Sequence, residues 1–138
     1  MSFDGQLEVF CDGGARGNPG PAAIGVVILD DKKKKITELS QTVGLATNNV
    51  AEYKAVIHAL KYLLDEFKTF RAVFNLDSEL VVKQLNGEYK VKDENLRNLY
   101  FEVRQLLFES GGSIVFQHIF RTQNKAADEL VNRALDEV

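Results

Sequence analysis

Apolar and polar residues follow two different periods along this chain, and the change falls near residue 50. Before it, short apolar runs are separated by turn residues: Leu7–Cys11 (LEVFC), then Ala23–Leu29, then Ile36–Val43 with partial alternation. Three consecutive strands joined by turns predict an antiparallel meander. From Val50 onward, Tyr53, Val56, Ile57, Leu60, Leu63, Leu64 and Phe67 recur at helical spacing. Ala72–Leu76 reads as a fourth strand, and Ser78–Leu85 as a helix ended by Asn86-Gly87. Leu96–Phe108 forms an amphipathic helix stopped by Gly111-Gly112, Ser113–Ile119 a last strand, and the residues from Lys125 onward a last helix. The order is βββαβααβα. Strands separated by helices pair in parallel through right-handed crossovers. The expected fold is therefore α/β: a five-stranded mixed sheet, three antiparallel strands then two parallel, flanked by helices.

A length of 138 residues, 45% of them hydrophobic, matches one globular domain, and residues 1–138 show no repeat or linker-like stretch. A single cysteine, Cys11, excludes an internal disulfide and a cysteine-based zinc cluster. No leader-like segment or membrane-length apolar run is present, so a soluble cytoplasmic protein is expected. Monomer is the default expectation for its assembly. The net charge of −3 does not mark a nucleic-acid binder. The run Lys32–Lys35, lying between two strands after Asp30-Asp31, reads as a solvated hairpin tip rather than a phosphate patch.

Among 20 acidic residues, four stand at strand ends or on apolar helix faces. Asp12 ends the first strand and Asp77 the fourth; if those strands lie side by side and parallel, both carboxylates share the sheet edge where open α/β folds bind ligands. Glu52 shares a small-residue helix stripe with Ala55 and Ala59, and Asp128 opens the last helix beside Ala127, Leu130, Val131 and Ala134. Each acid also has a local reading. Asn49 and Glu52 fit a capping box, Asp77 or Ser78 fits a helix cap, Asp128 suits a helix dipole, and Asp12 suits a turn. Two carboxylates ~4 Å apart repel by roughly 4 kcal/mol at an effective dielectric near 20, so four that converge require protonation or cations. With no His or Cys among them, the donor set suits Mg²⁺ or Mn²⁺.

The segments DGGARGNPG, TNNVAEYKAVIHAL, FNLDSELVVKQL and FRTQNKAADEL, in this order, resemble type 1 ribonuclease H over nearly the whole chain. The resemblance implies the ribonuclease H-like fold and an endoribonuclease that hydrolyses the RNA strand of RNA/DNA hybrids, leaving 5′-phosphate and 3′-hydroxyl ends. It implies two divalent ions, Mg²⁺ with Mn²⁺ possible, held by Asp12, Glu52, Asp77 and Asp128. Gly13, Gly14 and Asn18 would then border the approaching hybrid. Thr47 would meet a DNA phosphate, and Asn48 and Asn49 minor-groove edges and 2′-hydroxyls.

Two features depart from the family. The loop Phe120–Asn124 lacks the histidine many relatives carry there, leaving Arg121 as a candidate positive charge near the leaving group. The basic, Trp-containing handle between the middle helices is also missing, as in compact members, and Lys90 and Lys92 in GEYKVKDEN are the candidates for DNA-phosphate contact. Three other readings stay open: a hybrid-binding module without catalysis, another metal-dependent nuclease on this fold, and a purely structural α/β domain.

Overall fold

A computed structural model describes residues 2–138. Its elements follow the expected order: β1 (Gln6–Ala15), β2 (Gly20–Leu29), β3 (Lys35–Ala46), α1 (Asn48–Glu66), β4 (Arg71–Leu76), α2 (Glu79–Leu85), α3 (Glu94–Glu109), β5 (Ile114–His118) and α4 (Lys125–Asp136). The sheet runs β3-β2-β1-β4-β5, with β1, β2 and β3 antiparallel and β1-β4 and β4-β5 parallel. No described helix is long and apolar enough to cross a membrane.

Alternation along the central strands assigns the two sheet faces. Leu7, Val9 and Cys11 of β1, Ile24, Val26 and Ile28 of β2, and Phe74 and Leu76 of β4 belong to one buried cluster with Tyr53, Val56, Leu60 and Leu63 of α1. Val103 and Leu106 of α3 complete that layer. On the other face Ala23 of β2 packs with Val131, Ala134 and Leu135 of α4. Thr47, Ser78 and Asp93 cap α1, α2 and α3, each side-chain oxygen accepting a backbone N–H three residues on. The capping box expected for Asn49 and Glu52 does not form, because Thr47 takes that place.

The lysine run is the hairpin tip it resembled. Asp30 Oδ1 accepts from the N–H groups of Lys32 (2.8 Å) and Lys34 (2.9 Å), which closes the turn. The glycine-rich stretch differs from expectation. Asp12 does not end β1: the strand continues through Gly13 and Gly14 to Ala15, and only residues 16–19 lie outside the hairpin strands. Pairing with β2 carries it on, with Asp12 opposite Gly25 and Gly14 opposite Ala23.

The glycines there answer to packing. A Cβ at Gly13 would overlap the Ala51 carbonyl group and lie 2.5 Å from the Glu52 nitrogen. One at Gly25 would overlap the Ala127 carbonyl oxygen and lie 2.9 Å from Leu130 Cβ. These two positions let α1 and α4 approach the sheet backbone from its two sides. Gly14 differs, since a Cβ there meets only Val131 Cγ1 at 3.5 Å. Gly13→Ala and Gly25→Ala should therefore each cost about 2–4 kcal/mol by overpacking, and Gly14→Ala less than about 1 kcal/mol, in urea denaturation.

Candidate active site

The β1-β4 register pairs Cys11 with Leu76, so the next step along each strand sets Asp12 beside Asp77 at the carboxyl edge of the sheet. α1 starts above this edge, and its first turns bring Glu52 down against β1. There Glu52 Oε1 accepts a hydrogen bond from the Gly13 N–H at 3.1 Å. Carboxylate oxygens of Asp12, Glu52 and Asp77 lie within 4.8 Å of one another. Asp12 and Glu52 are buried and Asp77 half-buried. Asp128, half-buried in the first turn of α4, stands outside that triad but lines the same cavity of about 460 Å³.

Burial and charge act together on these groups. Burial, with Asp77 and Asp128 adding repulsion, pushes the Asp12 carboxyl up to about 7. Burial first and then Asp12 raise Glu52 well above the usual carboxylate range. The Cys11 thiol is also raised, by burial and then by Glu52 and Asp12. Glu52 Oε2 is buried without a hydrogen-bond partner. A buried, partnerless carboxylate oxygen facing two more acids is the environment a hard cation relieves.

The other expected residues divide into two groups. Gly13, Gly14, Asn48, Asn49 and Arg121 line the cavity with the acids, Arg121 opening a single 3-10 turn (Arg121–Gln123) before α4. Asn18, exposed on the turn after β1, joins them through its Oδ1, which accepts from the Asn48 N–H at 2.9 Å. Asn48 Oδ1 accepts in turn from the Ala15 N–H at 2.9 Å. Thr47 is half-buried beside them as the α1 cap. Lys90 and Lys92 are exposed in the α2–α3 connection and do not line the cavity. Lys90 borders a separate groove with Tyr89, Arg97, Tyr100 and Phe101. His118 is exposed at the end of β5 with its ring edge toward Phe120, and His58 is half-buried, its pKa lowered by burial and then by Lys61 and Lys54.

Sequence reasoning missed Asn124. It occupies the N-cap position of α4, yet its side chain makes no cap hydrogen bond. Its Nδ2 donates to the Cys11 carbonyl at 2.9 Å and to Asp77 Oδ2 at 3.0 Å, while its backbone carbonyl accepts the Asp128 N–H at 3.1 Å. One buried amide thus ties β1, Asp77 and the start of α4 together. In sequence an Asn before a helix reads as a cap, and only the fold shows the amide turned inward.

Comparison with known proteins agrees with this architecture. The Reverse transcriptase-like family matches residues 10–134. Ribonuclease HI of Halobacterium salinarum is 40% identical over 135 residues, 96% of this chain and 66% of that protein. A bifunctional protein of Mycobacterium tuberculosis is 42% identical over 132 residues. The chain spans only about a third of that longer mycobacterial protein, 36% of its length. Among solved structures, LC11-RNase H1 in complex with an RNA/DNA hybrid superimposes with a TM-score of 0.91 at 45% identity, covering 95% of this chain and 97% of that one. The chain belongs to this Reverse transcriptase-like family and, within it, to type 1 ribonuclease H.

The buried acids set the pH dependence of the metal-free protein. The folded state keeps a proton on Asp12 up to about pH 7, whereas the unfolded chain releases it near its ordinary value of 3.8. This contribution to stability is complete below pH 4 and is lost as the pH rises through 7. His58 acts in the opposite direction at low pH, so the comparison is made against Asp12→Asn. In metal-free buffer, wild type should lose on the order of a few kcal/mol relative to Asp12→Asn between pH 5 and pH 8, read from urea midpoints. Divalent cations at pH 8 should reverse the loss in wild type alone.

Proposed function

We propose that this chain is an endoribonuclease that hydrolyses the RNA strand of RNA/DNA hybrids, leaving 5′-phosphate and 3′-hydroxyl ends. The observation that carries the reading is the convergence of Asp12, Glu52 and Asp77 within 4.8 Å, with Glu52 Oε2 buried and unpartnered among them. The all-oxygen donor set fits Mg²⁺, with Mn²⁺ as the substitute, and Asp12, Glu52, Asp77 and Asp128 would hold two such ions. Divalent ions bound there supply charge neutralisation, water activation and stabilisation of the leaving oxygen in phosphodiester hydrolysis. The rest falls to side chains of this chain. Asp12, with a carboxylate oxygen close to those of both Glu52 and Asp77, would contribute to both ions. Asn124 holds Asp77 in orientation, and Arg121, which lines the cavity, would supply positive charge toward a leaving group.

Substrate choice rests on the amides. The side-chain oxygens of Asn18 and Asn48 are committed to the backbone, which fixes each amide and leaves its NH₂ as the free end. Donors at this edge match the acceptors of a minor groove and the 2′-hydroxyls that distinguish RNA. Asn49 adds a third amide at the cavity wall and Thr47 a hydroxyl for a backbone phosphate. Lys90 and Lys92, exposed outside the cavity, would contact phosphates of the DNA strand. A hybrid-bound structure for LC11-RNase H1, alike over 95% of this chain, supports the same substrate here. A monomer acting in the cytoplasm is part of this proposal.

Two experiments test it. End-labelled RNA/DNA hybrid, with single-stranded RNA, duplex DNA and duplex RNA as controls, should be cut only in the RNA strand of the hybrid and only with Mg²⁺ or Mn²⁺. Asp12→Asn should lower the rate by more than about 100-fold while keeping the fold. Cutting of duplex DNA, or hybrid binding without any cutting, rejects the assignment. Asn124→Ala should weaken Mg²⁺ binding by about 10- to 100-fold in calorimetry, because Asp77 loses the donor that orients it. An unchanged affinity would show that Asp77 keeps its place without that amide.

A further inference from the structure

The acidic cavity is lined by two arginines, and Arg121 is the only one the reading above employs. The other, Arg16, stands on the turn between β1 and β2. Its backbone is well held. The Arg16 N–H donates to the Pro21 carbonyl at 2.8 Å, and its neighbours Ala15 and Asn18 are each tied to Asn48 at 2.9 Å. Its side chain is held differently: it is 48% exposed and pairs through Nη2 with Asp136 Oδ1 at 2.5 Å. Asp136, the last residue of α4, is 67% exposed.

An ion pair this open to water contributes little to stability, so it explains poorly why an arginine stands there. It does fix where the guanidinium waits. The planar fork of arginine matches a phosphate as well as a carboxylate. A chain of net charge −3 whose cavity is built from acids needs local cations to receive a polyanion. We propose that Arg16 is a substrate-binding residue. It exchanges Asp136 for a backbone phosphate of the nucleic acid crossing the cavity, and Asp136 competes with that phosphate for the guanidinium. The inference rests on the proposed function in one respect, that a hybrid occupies this cavity.

The test measures hybrid binding by fluorescence anisotropy over a salt series, with Mg²⁺ present and turnover prevented by Asp12→Asn throughout. Arg16→Ala should weaken binding roughly three- to tenfold at low salt and reduce the slope of log K against log salt by about one phosphate contact. Asp136→Asn should tighten binding by about two- to fivefold, the worth of an exposed pair. That gain should vanish when Arg16→Ala is also present. Hybrids with uncharged methylphosphonate linkages in one strand or the other then identify the strand: the Arg16 effect disappears with one of them. Binding and slope unchanged by Arg16→Ala overturn the inference, as does an Asp136→Asn gain that persists without Arg16. If the parent protein shows no preference for hybrid over duplex DNA, the proposed function fails and takes this inference with it. A hybrid preference indifferent to Arg16 removes the inference alone.

Discussion

Mutual repulsion among Asp12, Glu52 and Asp77 is the constraint around which this molecule is arranged. Three carboxylates within 4.8 Å, two of them buried, oppose the very packing that gathers them. Burial first, and then repulsion from Asp77 and Asp128, push the Asp12 carboxyl up to about 7, so protonation relieves part of the conflict in the metal-free chain. The remainder must be held by structure. β1 and β4 supply this at the bottom of the site, since their parallel register sets two of the acids side by side. Leu76, Cys11 and the α1 face that packs on them make that pairing part of the buried core.

The third acid depends on how closely a helix approaches a strand. Glu52 reaches β1 because Gly13 has no side chain under Ala51, and the Gly13 N–H then becomes its hydrogen-bond donor. Gly25, opposite Asp12 in the neighbouring strand, does the same for α4 on the other face. Asn124 completes the frame. It gives up the usual role of its position, capping α4, to bind the Cys11 carbonyl and Asp77. A cap is worth about 1 kcal/mol to a helix, so α4 is locally less favourable than α1, α2 and α3, which all keep theirs. Local rules are broken where a site demands it, and here the break coincides with the acids.

This explains what could be read from the sequence and what could not. The element order and sheet topology were legible because periodicity changes cleanly and the turns are marked by Gly, Asn and Asp. The four acids stood out because a charge on an apolar strand or helix face is conspicuous. The packing demand on Gly13 was not legible. Asp12 before Gly-Gly reads as a turn at the end of a strand, whereas Gly13 and Gly14 are paired strand residues and Gly13 also serves a helix contact 39 positions away. Asn124 was hidden for a related reason: its partners lie 113 and 47 residues distant, and its local signal, an Asn before a helix, suggests a cap. Lys90 and Lys92 were legible only as basic residues of a connecting segment; the fold leaves both exposed outside the cavity, Lys90 beside a separate groove.

The same constraint bears on how such a site meets its substrate. Acids concentrated enough to hold cations also repel the phosphates those cations must engage, and the net charge of −3 offers no general attraction. Cations and arginines solve different parts of this problem. Ions held among the acids would neutralise the centre, where geometry must be strict. Arg121 and Arg16 stand on turns at the rim, where a flexible side chain can follow a backbone whose path varies. Arg16 differs from Arg121 in having a carboxylate, Asp136, already in its fork. In the proposed exchange, a phosphate entering there replaces one anion by another, and because the existing pair is open to water it is given up at little cost. In the proposed reading, discrimination is then left to groups that cannot be satisfied by charge alone, the amides of Asn18 and Asn48 fixed through their side-chain oxygens.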